Sequence, residues 1–119
     1  MKIESFYDLK VWKTAHQAVL DVYKVTSDFK AEEKYRIKDQ LCRAVVSIPA
    51  NIAEGFGRSS KKDFIKFLII ARGSLEESKY LLFLSKELGY ISDEKFSVLH
   101  SQLIEIAKMI NGLIKSIQK

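Results

Sequence analysis

Residues 40–77 read QLCRAVVSIPANIAEGFGRSSKKDFIKFLIIARGSLEE, and this stretch decides the fold. It holds the only proline, Pro49, and three of the five glycines, Gly55, Gly57 and Gly73. Upstream of the Gly55–Ser59 break, Ile37, Leu41, Ala44, Val45, Ile48 and Ile52 recur three and four residues apart, the period of one helix face. Downstream, Phe64, Phe67, Leu68, Ala71, Leu75, Ser78 and Leu82 do the same. Pro49 lacks an N–H and would clash with the carbonyl of Val45, so a kink is expected there; because the apolar period continues to Ile52, a helix end is not. Gly55 is expected as a left-handed C-cap. Ser60 with Asp63 resembles a capping box for the next helix. A connection this short makes the two helices antiparallel neighbours.

Outward from this pair, each flank predicts one more helix. Before it, Val11, Ala15, Ala18, Val22 and Val25 mark a helix that Thr26-Ser27-Asp28 ends. After it, Gly89 is a stop, Ser92-Asp93-Glu94 a start, and Phe96, Leu99, Leu103, Ile106, Ile110, Leu113 and Ile117 a heptad seam. The expected elements are helices over about 9–26, 32–54, 61–88 and 93–117. No long crossover separates them, so the fold class is all-α, an antiparallel up-down-up-down four-helix bundle in one domain. Ile3, Phe6, Tyr7 and Leu9 are too apolar for a free arm and are expected to dock, with Asp8 capping the first helix. His16 lies near the first helix's core face and reads as structural.

Length and composition agree with this. At 119 residues, 47% hydrophobic and 29% charged, the chain is a single globular domain. Its net charge of +5 is compatible with an acidic partner such as nucleic acid, but charge alone favours a protein kept soluble by it. Cys42 is the only cysteine, which excludes an intrachain disulfide and a cysteine-based zinc site. The opening MKIESFYDLKVW lacks the apolar run of a signal peptide, and Phe67–Ala71 is too short to span a bilayer. A cytoplasmic protein with no membrane association is expected.

Two features exceed what a plain bundle requires. Arg36, Gln40, Arg43, Ser47, Asn51 and Glu54 follow one another four, three, four, four and three residues apart, forming a polar stripe beside the second helix's core face. It reads as a boundary between helices or subunits, with a recognition surface as the alternative. The third helix carries a second apolar face: Ile65, Ile69, Tyr80, Phe83 and Leu84, with Gly73 between them. A subunit interface with close approach at Gly73 explains it; cover by the N-terminal arm is the competing reading. Arg58, Lys61, Lys62 and Lys66 gather at the start of this helix, where phosphate could bind, though a solvated turn would look the same.

Catalytic signatures are missing. Lys13 and Ser97 stand three residues before His16 and His100, so the Glu-x-x-His of a di-metal bundle is absent. No arginine stands four to six residues before either histidine, as HEPN-type ribonucleases need, and no GxSxG or GxxxxGK[ST] occurs. Glu54 and Glu77 read as partners for arginines. Neither an enzyme nor a cofactor or metal is expected.

The run SIPANIAEGFGRSSKKDFIKFLIIARGSLEE, with FYDLKVWKTA, YRIKDQLCRA and LGYI, resembles the four-helix bundle proteins encoded in bacterial 23S ribosomal RNA intervening sequences. The likeness spans nearly the whole chain and implies a homopentamer without established catalysis. It carries over to Gln40, Arg43, Ser47, Asn51, Glu54, Gly55 and Arg58, then to Phe64, Gly73, Ser74 and Glu77. The fold is also similar to that of accessory proteins of diversity-generating retroelements, which form basic pentamers that bind nucleic acid and a reverse transcriptase. Together these imply a self-assembling bundle that offers basic surface to RNA or an RNA-associated protein. A protein scaffold, or a small-ligand or anion pocket at the subunit junction lined by Arg43, Asn51 and Glu54, remains the alternative.

Overall fold

The computed structural model describes residues 2–119. A 3-10 turn, Phe6–Asp8, leads into α1 (Lys10–Val25), α2 (Glu32–Phe56), α3 (Lys61–Glu87) and α4 (Asp93–Gln118). Each helix packs on the two beside it in the order α1–α2–α3–α4–α1, so α1 and α3 lie diagonally opposite, as do α2 and α4. The contacts run in opposite directions along each pair. Ser47 meets Ser74 near the middle of α2 and α3, while Gly55 meets Phe64 and Phe67 at their end. Arg72 meets Asn111 and Phe83 meets Phe96 across α3 and α4. The four helices form a bundle 45 Å long and 23 × 21 Å across.

The apolar periods face one common core. Ala15, Val45, Ile48, Ile52, Leu68, Ala71, Leu75, Ile106 and Ile110 are wholly buried in it. The α4 seam includes a further buried residue, Ile114, off the strict heptad. Pro49 is buried within α2, which continues past it to Phe56.

The ends follow local chemistry. Ser60 Oγ accepts from Asp63 N at 3.1 Å, and Ser92 Oγ from Lys95 N at 3.1 Å, satisfying N–H groups that the helices leave unpaired. Gly89 takes φ +78°, the left-handed stop after α3. Thr26, at the end of α1, is buried because its Oγ1 donates back to Val22 O at 2.8 Å, closing the hydroxyl on its own helix. It lies 3.9 Å from Cys42 Sγ, and burial pushes that thiol up from its ordinary value.

Several expectations are corrected. Gly55 is not a left-handed cap: α2 runs through it to Phe56, and Gly57 caps in the right-handed region at φ −77°. What Gly55 supplies is space. A Cβ there would lie 2.8 Å from Phe67 Cβ and 3.0 Å from Phe64 Cδ1, so only glycine lets α3 come this close. Asp8 caps the 3-10 turn, not α1. Its Oδ2 accepts from Glu4 N at 2.9 Å and Ser5 N at 3.1 Å, which holds its carboxyl below the usual range. In the arm, Phe6 and Leu9 are half-buried while Ile3 and Tyr7 are exposed. His16 is exposed too, stacked on Trp12 with ring centroids 5.0 Å apart.

Candidate nucleic-acid and assembly surfaces

The polar stripe resolves into local partnerships. Arg36 Nη2 reaches Glu32 at 3.0 Å and Arg43 Nε reaches Asp39 at 3.3 Å, both one turn back along α2. Glu54 Oε2 accepts from Arg58 Nη2 at 2.8 Å. Gln40 and Glu77 are exposed, and neither has a hydrogen-bond or ion-pair partner among the described residues. Among the described residues Glu77 therefore pairs with no arginine, contrary to the expectation for it. Within one chain Arg43, Asn51 and Glu54 each find a different partner, Asp39, Ser47 and Arg58.

Ser47, Asn51 and Ser74 do come together. Ser47 and Ser74 place their hydroxyls 2.8 Å apart across α2 and α3. Asn51 Nδ2 donates to Ser47 O at 2.8 Å and to Ser47 Oγ at 2.9 Å. Ser78 Oγ donates to Ser74 O at 2.8 Å. The partners are hydroxyls, an amide and backbone carbonyls. Such a chain fixes helix register and holds no group suited to take or give a proton at neutral pH.

The basic cluster divides in two. Arg58 is committed: besides its Glu54 pair, its guanidinium lies 4.8 Å from the Phe67 ring centroid. Lys61, Lys62 and Lys66 are exposed and make no ion pair among the described residues. Lys62 and Lys66 line a shallow groove together with Asp63, Ile65, Ile69 and Ile70. That groove sets charge beside apolar surface at the start of α3.

The second face of α3 is exposed only in part: Ile65 and Leu84 are half-buried, and Ile65 packs against the core. Ile69, Ile70, Tyr80 and Phe83 are 46, 43, 61 and 45% exposed. A Cβ on Gly73 would meet nothing within 4 Å. The arm does not shield this face, because the 3-10 turn packs on α1 and α2. Sequence reading missed a second apolar surface, the groove between α1 and α2 lined by Phe6, Trp12, His16, Val46, Pro49 and Ala50. Its signal was present, since Trp12, His16 and Val19 on α1 and Val46, Pro49, Ala50 and Ala53 on α2 recur three and four residues apart, and the arm adds Phe6.

Among the described residues, no three His, Cys, Asp or Glu side chains gather where a metal could bind. No described helix is long and apolar enough to cross a membrane.

The family profile described as 23S rRNA-intervening sequence protein matches residues 7–112. A crystal structure at 1.70 Å of a protein of unknown function, described as from the S23 ribosomal protein family of Bacteroides thetaiotaomicron, is similar at 28% identity and a TM-score of 0.82. That similarity covers 88% of this chain and 98% of the other. No curated protein matches.

Proposed function

This chain belongs to the 23S rRNA-intervening sequence protein family, and from that premise we propose that it is a non-enzymatic bundle that assembles with its own copies and holds RNA by its phosphates. One observation carries the reading. At the start of α3, Lys61, Lys62 and Lys66 are exposed and make no ion pair among the described residues, next to a helix face on which Ile69, Ile70, Tyr80 and Phe83 are exposed. Unpaired lysines suit phosphate oxygens whatever the base sequence. An exposed apolar stripe with an open glycine at its centre suits a second helix at close range. The expected assembly is the homopentamer that the family resemblance implies.

Light scattering tests the first half. The wild type is expected at about five times the 13.7 kDa chain mass. An Ile69→Glu/Tyr80→Glu variant is expected as a folded monomer with unchanged helical circular dichroism, since both side chains already face solvent within one chain. A monomeric wild type overturns the assembly. Fluorescence anisotropy with a labelled RNA duplex tests the second half. Binding is expected to weaken steeply as salt rises, and to weaken further in Lys61→Gln/Lys62→Gln. Duplex binding that ignores salt overturns the phosphate reading; no binding at all leaves a scaffold for protein partners.

A further inference from the structure

We propose that the RNA surface does not stop at the α2–α3 turn but continues across the C-terminal half of α4, where Lys108 and Lys115 extend it. The inference rests on the RNA reading above and adds a second element to it.

Charge is unevenly placed along the bundle. From Ala107 onward α4 carries Lys108 and Lys115 and no acidic residue, with Lys119 just beyond its end; its acids, Asp93, Glu94 and Glu105, precede that segment. Because α3 and α4 are antiparallel, this acid-free half lies beside the first half of α3. Arg72 Nη1 donates to Asn111 Oδ1 at 2.9 Å and fixes the alignment. Asn111 is one turn from both Lys108 and Lys115. Seven residues separate the two lysines, two helical turns and roughly 10 Å along one edge of α4. Both are exposed and make no ion pair among the described residues.

The opposite end of the bundle is arranged differently. There Glu32–Arg36 and Lys86–Glu87 pair at 3.0 and 3.7 Å, Asp39–Arg43 and Glu76–Lys79 pair at 3.3 and 3.5 Å between that end and the middle, and Asp93 and Glu94 add negative charge at the start of α4. The helix dipole accounts for a lysine in the last turn of α4, as at Lys115, but its effect fades within that turn and does not reach Lys108. At this end Asp63 is the one acid in the first turn of α3, so an excess of positive charge spreads over two neighbouring helices. That breadth suits a duplex backbone, which offers phosphates along two strands, better than a single anion.

The experiment measures affinity of the full chain for a labelled RNA duplex of arbitrary sequence across a salt titration. Lys108→Gln/Lys115→Gln is expected to lower the slope of log affinity against log salt by about 2 and to weaken binding about tenfold or more at low salt. The control, Lys24→Gln/Lys30→Gln, removes the same charge from the other end, and its slope is expected to match wild type. Thermal melts confirm that every variant folds. If wild type binds but the α4 variant keeps the wild-type slope, or if the control falls equally, the α4 surface is refuted while the α2–α3 reading stands. If wild type binds no RNA, both fall together.

Discussion

Replacing Gly55 with valine is expected to lower thermal stability by roughly 10–15 °C, from about 3 kcal/mol lost to overpacking. The new Cβ would meet Phe67 Cβ at 2.8 Å and the Phe64 carbonyl oxygen at 3.3 Å. Neither atom can swing away by a side-chain rotation, so α2 and α3 must move apart along the pair that holds the turn. Alanine brings the same Cβ but recovers about 1 kcal/mol of helix propensity, so Gly55→Ala is expected to cost less. Gly112 provides the contrast. It is exposed within α4, a Cβ there meets nothing within 4 Å, and Gly112→Ala is expected to stabilise by about 0.5–1 kcal/mol. Melting curves of the three variants decide the matter; a Gly55→Val protein that melts with wild type would show that the helices do not approach this closely.

Leu75→Ala should have the other large effect. Leu75 is wholly buried in the middle of α3, in the same core as Val45, Ile48, Ile106 and Ile110. Truncation removes apolar contact and leaves a cavity that rigid neighbouring helices close only in part, at a cost of about 2–5 kcal/mol. Urea denaturation should show the midpoint falling with little change in slope. An Ile69→Ala protein separates the two faces of α3. Its side chain contributes little to the core of one chain, so its effect should appear as a loss of assembly rather than as unfolding at fixed oligomeric state. Equal denaturation midpoints for Leu75→Ala and wild type would contradict the core placement.

The four helices were legible because each apolar face repeats at helical period and each has local stop or start chemistry. Ser60, Gly89 and Ser92 act on neighbours a few residues away, and local sequence suffices for them. Gly55 was misread for a definite reason. A glycine near the end of an apolar period serves a cap and a close approach equally well, and only the position of Phe67 on another helix separates them. Arg58 is different: its partner Glu54 stands four residues earlier, so a signal was present in the sequence and could have withdrawn Arg58 from the free cations. Glu77 has no such neighbour, and its isolation is a tertiary fact. The Ser47–Ser74 pair and the Arg72–Asn111 bond depend on helix register, which periodicity leaves open. The basic α4 edge was hidden for the same reason, since its lysines lie far along the chain from Lys61 and meet that region only in the folded bundle.

The order in which the helices pack also governs how the chain reaches this structure. Every helix pair but one joins sequence neighbours across a short connection, so most of the core can condense through small loops whose closure entropy is modest. The exception is α1 against α4, where Gln102 Nε2 reaches Asp21 Oδ2 at 2.7 Å across a sequence separation of 81 residues. Docking α1 on α4 is thus the one step that carries a long-loop penalty, and the α2–α3 hairpin, joined by the shortest turn, is the natural nucleus. Such local topology belongs with the helical bundles that refold in microseconds to milliseconds. A chain emerging from the ribosome would hold its first three helices together before α4 arrives to close the ring of contacts.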